Sequence, residues 1–472
     1  MLSSSRVAMH AKAQCAAAAA PRCAAPSRCA SVTAAASMAP TVAAAASPVA
    51  LPSRKSSARA PRVVGGARRA GASIRRAVSV TASADAKPFL KRTCRLVLED
   101  GSCWQGFSFG ATGTEVGEVV FNTALTGYEE IMSDPSYKGQ FVAFTCPHIG
   151  NVGINTEDNE SSKCHLGAII IKDLSKSVSN YRSRMDLDKY CKEQGVLGIW
   201  GVDTRGLTRV LRDYGSLVGV VTTDMSKSVD ELVKQAKGWS IEGKDLLSVV
   251  SCKEPYEWAK GTTAEWEFAP YAKGSSKEPF HVVAYDYGIK YNILRRLASY
   301  GCRVTVVPAT YPADEVMKLQ PDGIFFSNGP GDPSAAPYAV DNAKALLGKK
   351  PVFGICMGHQ ILGQAFGAKT FKLKFGHHGG NHPIRYNPTG RVEISAQNHN
   401  FAVETSSLPA GVEVTHINLN DGTCAGMVWA DKKAMTIQYH PESSPGPHDA
   451  DVCFQQFIDM MKAERGMKAV AA

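Results

Sequence analysis

Acidic residues are absent from the first 84 positions of this 472-residue chain, although the whole chain has 43 Asp and Glu residues. Those positions contain twelve of the 53 Lys and Arg residues and are rich in Ala and Ser. Such a composition is typical of an organellar transit peptide, and a disordered basic tail is the alternative. The richness in Ala and Ser favours the chloroplast stroma over the mitochondrion. We therefore expect residues 1–84 to be a disordered transit peptide.

A large net charge is absent from the rest of the chain. Residues 85–472 contain 41 basic and 43 acidic residues, so they are nearly neutral. This balance gives no support for nucleic acid as a partner, because nucleic-acid-binding proteins usually carry a basic surface. No apolar run reaches the roughly 20 residues that a membrane-spanning helix needs. We therefore expect neither a nucleic-acid nor a membrane partner.

Motifs for disulfides, metals and nucleotides are also missing. The thirteen cysteines include no Cys-x-x-Cys pair, and three of them lie within residues 1–84, so scattered free thiols are expected. His377, His378 and His382 match no zinc spacing. Residues 238–244 fit the start of a phosphate-binding loop, but Asp245 stands where that loop needs Ser or Thr. We expect no metal and no cofactor on this chain.

The chain contains segments with different patterns. Residues 88–251 mix short alternating strands, turn residues and a helical stretch, which predicts an N-terminal mixed α/β domain. Residues 252–279 are polar and end in a stretch with Gly, Ser and Pro, which predicts a linker. Residues 280–467 alternate short apolar strands with amphipathic helices. This alternation predicts a largely parallel, doubly wound sheet with helices on both faces.

A candidate nucleophile follows the fourth strand of that predicted sheet, where ligands of such sheets bind. Residues 354–358 read Gly-Ile-Cys-Met-Gly and open a helix. This is the form of a nucleophile elbow, with Cys356 where hydrolases have Ser. The helix amides behind the thiol stabilise a thiolate. A buried core thiol is the alternative interpretation.

The candidate partners of Cys356 are His440 and Glu442, which end an alternating strand in the order His-Pro-Glu. Residues i and i+2 of an extended chain point to the same side, and Pro441 favours an extended His440. Glu442 can therefore orient the imidazole, and His440 can accept the thiol proton. A surface histidine at a strand end is the alternative.

A third motif, Ser-Asn-Gly-Pro-Gly-Asp-Pro at residues 327–333, follows the third predicted strand. Pro330 has no amide hydrogen, so the donors of this rigid turn are the glycine amides. One of them, together with the amide of Met357, would form an oxyanion hole.

The three motifs together resemble the class I, triad-type glutamine amidotransferases in order, spacing and residue type. More closely, residues 93–467 resemble the small-subunit family of carbamoyl-phosphate synthetase. The stretches that carry this second resemblance are residues 121–130, 134–137, 147–153, 202–205, 375–383 and 444–449. The N-terminal stretches matter most, because other amidotransferases lack that domain.

The resemblance implies a glutaminase with Cys356 as nucleophile, His440 as proton carrier and Glu442 as the third member of a catalytic triad. It implies that a separate large subunit binds ATP and Mg and receives the ammonia, for carbamoyl phosphate in the arginine and pyrimidine pathways. The residues that it implies for holding glutamine are Ser136, Gly329, Gly331, Met357, Gln360, Asn398, Asn400 and Phe401. Many bacterial members carry Gly at position 400, so we expect positive φ at Asn400, in a predicted loop at residues 397–401.

Three rival interpretations remain. The first is the glutaminase of another synthase, such as anthranilate synthase or cytidine triphosphate synthase, against which the N-terminal domain argues. The second is a catalytically silent regulatory scaffold, which the presence of Cys356, His440 and Glu442 disfavours. The third is a cysteine peptidase or γ-glutamyl hydrolase, which would turn over glutamyl peptides without a partner.

Overall fold

The structure is a computed structural model that describes residues 91–263, 265–267 and 279–466. The predicted transit peptide lies outside the described residues, as does most of the second half of the predicted linker. All the described residues belong to one compact unit. No helix in these ranges is both long enough and apolar enough to cross a membrane.

The strands of the N-terminal half are β1 (Cys94–Leu98), β2 (Cys103–Gly110), β3 (Thr114–Asn122), β4 (Gln140–Phe144), β5 (His148–Ile149), β6 (Ala168–Ile170), β7 (Asp173–Leu174), β8 (Leu197–Trp200) and β9 (Leu217–Thr222). Seven of them close into a barrel in the order β1-β2-β8-β6-β4-β3-β9, and β5 pairs with β7 separately. The barrel is mixed, because β3–β4, β4–β6 and β6–β8 are parallel and the other pairs antiparallel. Its interior is filled by apolar side chains such as Leu96, Val119 and Phe141, which are fully buried.

The helices of this half are α1 (Tyr128–Ser133), α2 (Leu187–Gln194), α3 (Thr204–Tyr214), α4 (Val229–Lys237) and α5 (Leu247–Val250). Polar side chains fix the helix starts. Asp203 accepts a 3.0 Å hydrogen bond from the amide of Gly206 at the start of α3, and Ser228 does the same for Glu231 in α4 at 3.2 Å. Such caps satisfy amides that have no partner inside the helix.

The strands of the C-terminal half are β10 (Tyr256–Trp258), β11 (Phe280–Asp286), β12 (Cys302–Pro308), β13 (Gly323–Phe326), β14 (Val352–Ile355), β15 (Thr370–Tyr386), β16 (Val392–Val403), β17 (Glu413–Asn418), β18 (Cys424–Trp429) and β19 (Ala434–Ile437). They form one ten-stranded sheet in the order β10-β12-β11-β13-β14-β19-β18-β17-β15-β16. The neighbouring strands β12, β11, β13, β14 and β19 pair in parallel, and all other neighbours in the sheet pair antiparallel. The predicted fold class is confirmed, and the antiparallel extension adds to it.

The helices of this half are α6 (Tyr291–Ser299), α7 (Ala313–Lys318), α8 (Pro337–Leu346), α9 (Met357–Phe366) and α10 (Val452–Glu464). They cover both faces of the sheet. Helices α6 and α10 bury residues such as Leu297 and Phe457 in one apolar cluster, while α7, α8 and α9 bury residues such as Leu346 and Ile361 in the other. The carboxyl ends of the central strands are left open for a site.

Two local predictions differ from the structure. Part of the predicted linker is strand β10, which pairs antiparallel with β12 at the sheet edge. The predicted loop at residues 397–401 is wrong, because these residues lie inside β16 and pair with β15. Their polar side chains suggested a loop, whereas they are polar because they face a buried site.

Candidate active site

Cys356 lies at the switch from strand β14 to helix α9, in a backbone conformation that residues other than glycine rarely adopt. Its φ is 54° and its ψ is −103°. The turn is possible because Gly358 has no side chain: a Cβ atom there would lie 2.1 Å from the carbonyl oxygen of Phe326. Strain of this kind persists only where the surroundings hold it, and it is common at active sites.

The thiol of Cys356 is buried beside a backbone carbonyl group. Its sulfur lies 3.4 Å from the carbonyl oxygen of Asn398. The side chain is 1% exposed, and the residue caps the N-terminus of α9. The positive end of the helix dipole therefore faces the position where a thiolate would form.

His440 and Glu442 come together directly behind the thiol. Nδ1 of His440 lies 2.7 Å from Oε1 of Glu442, and both side chains are buried. The other ring nitrogen, Nε2, forms no hydrogen bond of regular geometry within the described residues. The imidazole is nevertheless close enough to Cys356 for the two side chains to interact electrostatically. The three predicted catalytic side chains thus form a chain from carboxylate to imidazole to thiol.

The charges of this group stabilise one another. Burial lowers the pKa of His440, but Glu442 and Cys356 outweigh this effect and raise it to about 10. Burial raises the pKa of Glu442, but Lys290 and His440 outweigh this effect and lower it to about 2. The pair is therefore an imidazolium and a carboxylate at neutral pH.

Lys290 is a member of this group that the sequence did not indicate. Its Nζ lies 2.9 Å from Oε1 of Glu442 and donates a 2.6 Å hydrogen bond to the carbonyl of Ser443. Asn292 also donates from its side chain to the carbonyl of Glu442. No motif marks Lys290, and a lysine is rarely fully buried, so sequence reasoning alone had no signal for it.

A small cavity opens beside Cys356, and all eight residues predicted to hold glutamine line it. They are Ser136, Gly329, Gly331, Met357, Gln360, Asn398, Asn400 and Phe401. Gln140, Ile241 and His399 also line it and were not predicted. Gly329 lets the chain pass close to its neighbour, because a Cβ atom there would lie 2.3 Å from the carbonyl oxygen of Tyr287.

The two halves of the chain meet at this cavity through buried hydrogen bonds. Asn328 donates to the hydroxyl of Ser136 at 2.8 Å, and Asn398 donates to Asp134 at 2.8 Å. Gln360 donates to the carbonyl of Phe401 at 2.8 Å, while its Oε1 has no partner among the described residues. Residues of the N-terminal half are thus held in place by residues of the C-terminal half.

Asn400 lies in the cavity wall, but the expectation of positive φ there is wrong. It lies inside β16 and is not among the described residues with positive φ. Its side chain is buried, with Oδ1 2.8 Å from Nε2 of His378 and Nδ2 donating to Glu118. The hydrogen bonds of its side chain, rather than a positive φ, therefore explain why asparagine occupies position 400.

The histidines considered as metal ligands are hydrogen-bonded instead. Nε2 of His377 lies 2.8 Å from Asp421, and Nδ1 of His378 lies 3.1 Å from Oδ1 of Asn398. Nδ1 of His382 lies 3.2 Å from Asn420. No group of His, Cys, Asp and Glu side chains in the described ranges is arranged to hold a metal ion.

The fold and this site define a class of protein. A model of the family "Glutamine amidotransferase class-I" matches residues 283–460, the half that contains Cys356, His440 and Glu442. This half is therefore a class I glutamine amidotransferase domain. A second family model, "Carbamoyl-phosphate synthase small chain, CPSase domain", matches residues 96–221.

Whole-chain relatives identify the family. The chain is 61% identical over 379 residues to the chloroplastic carbamoyl phosphate synthase small chain of Oryza sativa subsp. japonica, covering 80% of this chain and 84% of that one. It is 59% identical to the chloroplastic protein of Arabidopsis thaliana (80% and 88% covered) and 51% identical to the small chain of Nostoc sp. (81% and 97% covered). The chain belongs to the carbamoyl phosphate synthase small chain family.

Proposed function

We propose that this chain hydrolyses glutamine to glutamate and ammonia and delivers the ammonia to a large subunit that synthesises carbamoyl phosphate. The observation that carries the proposal is the buried thiol of Cys356 at a cavity wall, with the hydrogen-bonded pair of His440 and Glu442 behind it. A nucleophile, a base and a group that orients the base are the minimum set for acyl transfer.

In the proposed reaction, the thiolate of Cys356 attacks the side-chain amide carbon of glutamine. His440 gives its proton to the departing ammonia, and a glutamyl thioester remains on the sulfur. A water molecule then gives a proton to His440 and attacks the thioester, which releases glutamate. Glu442 and Lys290 keep the imidazole oriented and its charge compensated.

Glutamine is held, in this proposal, by the residues that line the cavity. The amides of Met357 and Gly329 stabilise the oxyanion that forms during attack. Oε1 of Gln360 has no donor among the residues that the structure describes, which supports a role in binding, because a buried acceptor without a donor is costly until a ligand supplies one. Ser136, Gly331, Asn398, Asn400 and Phe401 complete the pocket.

The partner is a separate large subunit that binds ATP and Mg, since this sequence contains no recognisable ATP-binding motif. The chloroplast stroma is the site of action, as the rice and Arabidopsis relatives are named as chloroplastic proteins. The basic, Ala- and Ser-rich residues 1–84 fit a transit peptide for that compartment. The carbamoyl phosphate would supply the arginine and pyrimidine pathways.

The test is Cys356→Ser in the reconstituted complex with the large subunit. Carbamoyl phosphate synthesis from glutamine should be lost, while synthesis from added ammonia should persist, because that chemistry belongs to the partner. The matched control is Cys424→Ser, which changes another buried cysteine outside the cavity. Glutamine-dependent synthesis by Cys356→Ser above a few per cent of the wild-type rate would refute the proposal.

A further inference from the structure

The outward face of helix α3 carries three arginines that the glutaminase reaction does not use. Arg205, Arg209 and Arg212 are exposed and spaced four and three residues apart, so they lie on one side of the helix. Together with Thr145 and Thr208 they line a cavity of about 410 Å³. We call this surface the arginine face.

Negative charge compensates the arginine face only in part, through Asp213, which also interacts with Arg209. No carboxylate lines its cavity, and Arg212 pairs with Asp213 of its own helix at 2.9 Å. The side chains of Arg205 and Arg209 form no hydrogen bond or ion pair within the described ranges. Three like charges on adjacent helical turns repel one another, and an anionic partner would relieve that repulsion.

The spacing of the charges distinguishes a protein partner from a small anion. Arg205 and Arg212 lie seven residues apart along the helix, which corresponds to about 10 Å at 1.5 Å per residue. A phosphate carries about two negative charges at neutral pH, whereas the successive carboxylates of an acidic segment can pair with each of the three guanidinium groups in turn.

We propose that the arginine face docks an acidic segment of the large subunit. The inference rests on the proposed function, because that subunit is the partner it requires. Arg205 and Arg209 form the centre of the contact, since Arg212 is already paired with Asp213. Exposed charges of this kind chiefly accelerate association and make it sensitive to salt.

The experiment compares association of the full chain with its large subunit for three forms of the protein. The test variant is Arg205→Glu combined with Arg209→Glu. The matched control is Lys234→Glu combined with Lys237→Glu, which makes the same charge change at exposed positions of helix α4. Stopped-flow or surface-binding measurements at low and high salt give the association rate constants. Glutaminase activity of each isolated chain reports whether its fold is intact.

The test variant should associate about tenfold more slowly at low salt and show a weaker salt dependence, while the control stays within about threefold of wild type. If the double reversal disturbs folding, Arg205→Gln with Arg209→Gln removes the charges with a good helix former and should give a smaller loss in the same direction. Wild-type association rates for the test variant would overturn the inference. So would inorganic phosphate binding at these arginines with docking unchanged. Failure of the wild-type chain to bind the large subunit would instead overturn the proposed function, and the inference with it.

Discussion

The ammonium group of Lys290 lies 2.9 Å from Oε1 of Glu442, the same oxygen that Nδ1 of His440 approaches at 2.7 Å. One carboxylate oxygen therefore holds two cationic groups inside the protein. Burial lowers the pKa of Lys290, but Glu442 and Glu160 outweigh that effect and keep the ammonium charged. The side chains of Lys290 and Glu442 are 3% and 0% exposed, so water provides little alternative solvation.

Replacing Lys290 by Met should therefore destabilise the protein. Breaking a buried ion pair costs about 3–5 kcal/mol when the remaining charge is left uncompensated. The loss here should fall below that range, because the imidazolium of His440 stays beside Glu442, but should exceed the loss at an exposed pair. The free energy of unfolding from urea titrations measures the loss. The control is Lys433→Met, because Lys433 pairs at 2.8 Å with Glu464 on the surface and such pairs contribute about 0–1 kcal/mol. Equal losses for the two variants would contradict a structural role for the Lys290 charge.

The sequence predicted the candidate catalytic residues because each stands in a local pattern. Cys356 has glycines on both sides at a strand-to-helix switch, and His440 and Glu442 are two residues apart in an extended segment. Lys290 has no such pattern. It follows β11, which is brought beside β13 by the order of the strands in the sheet, and that order is not visible in the spacing of residues along the chain.

The fold was predictable to a similar extent. Short apolar strands alternating with helices gave the parallel centre of the sheet. The antiparallel strands β15 and β16 were harder to predict, because their polar residues face a buried site rather than solvent. The closed N-terminal barrel likewise depends on long-range pairing of β1 with β9, which local periodicity does not report.

The imidazolium–carboxylate pair should make stability depend on pH in a particular window. The pKa of His440 is raised from 6.5 to about 10. The contribution of this shift to the free energy of unfolding is therefore fully present below pH 6.5 and is lost as the pH rises through about 10. The pKa of Glu442 is lowered from 4.5 to about 2, so its contribution is present above pH 4.5 and is lost only as the pH falls through about 2.

The measurement is the difference in free energy of unfolding between the wild type and His440→Gln at several pH values. This difference should be largest near pH 5 to 6.5 and should shrink steadily toward pH 10. Other buried acids, such as Glu160, occur in both proteins, so to first order their titration cancels. A difference that grew between pH 6.5 and 10 would show that His440 is not charged in the folded state.

Gly358 should be essential for the position of the nucleophile. A Cβ atom at this position would lie 2.1 Å from the backbone carbonyl of Phe326, so Gly358→Ala must displace strand β13 or the turn at Cys356. A misplacement of about 1 Å can lower a rate about a hundredfold. Steady-state glutaminase kinetics provide the measurement.

The control for Gly358→Ala is Gly238→Ala. Gly238 has an ordinary helical φ of −82°, and a Cβ atom there would have no neighbour closer than 3.5 Å. That variant should keep the wild-type rate. Near-normal kcat for Gly358→Ala would mean that the turn at Cys356 tolerates movement.

Two variants of Asn400 can show whether this position needs a positive φ or the hydrogen bonds of the asparagine side chain. If its backbone needed positive φ, Asn400→Gly would be neutral and Asn400→Val harmful. In the structure Asn400 is part of β16, where a β-branched residue fits well. Its side chain instead connects Nε2 of His378 with the carboxylate of Glu118.

Both Asn400→Gly and Asn400→Val should therefore raise the KM for glutamine, and by similar factors. Each variant removes the Asn400 donor from the buried carboxylate of Glu118, which keeps Gln140 and Lys372 as partners. A hydrogen bond to a charged group contributes about 1.5–3 kcal/mol, which corresponds to about tenfold to a hundredfold if it falls entirely on binding. Asn387→Gly and Asn387→Val, at an exposed asparagine outside the cavity, should leave the KM unchanged. A normal KM for Asn400→Gly together with a raised KM for Asn400→Val would contradict the side-chain explanation, because both variants remove the same hydrogen bonds.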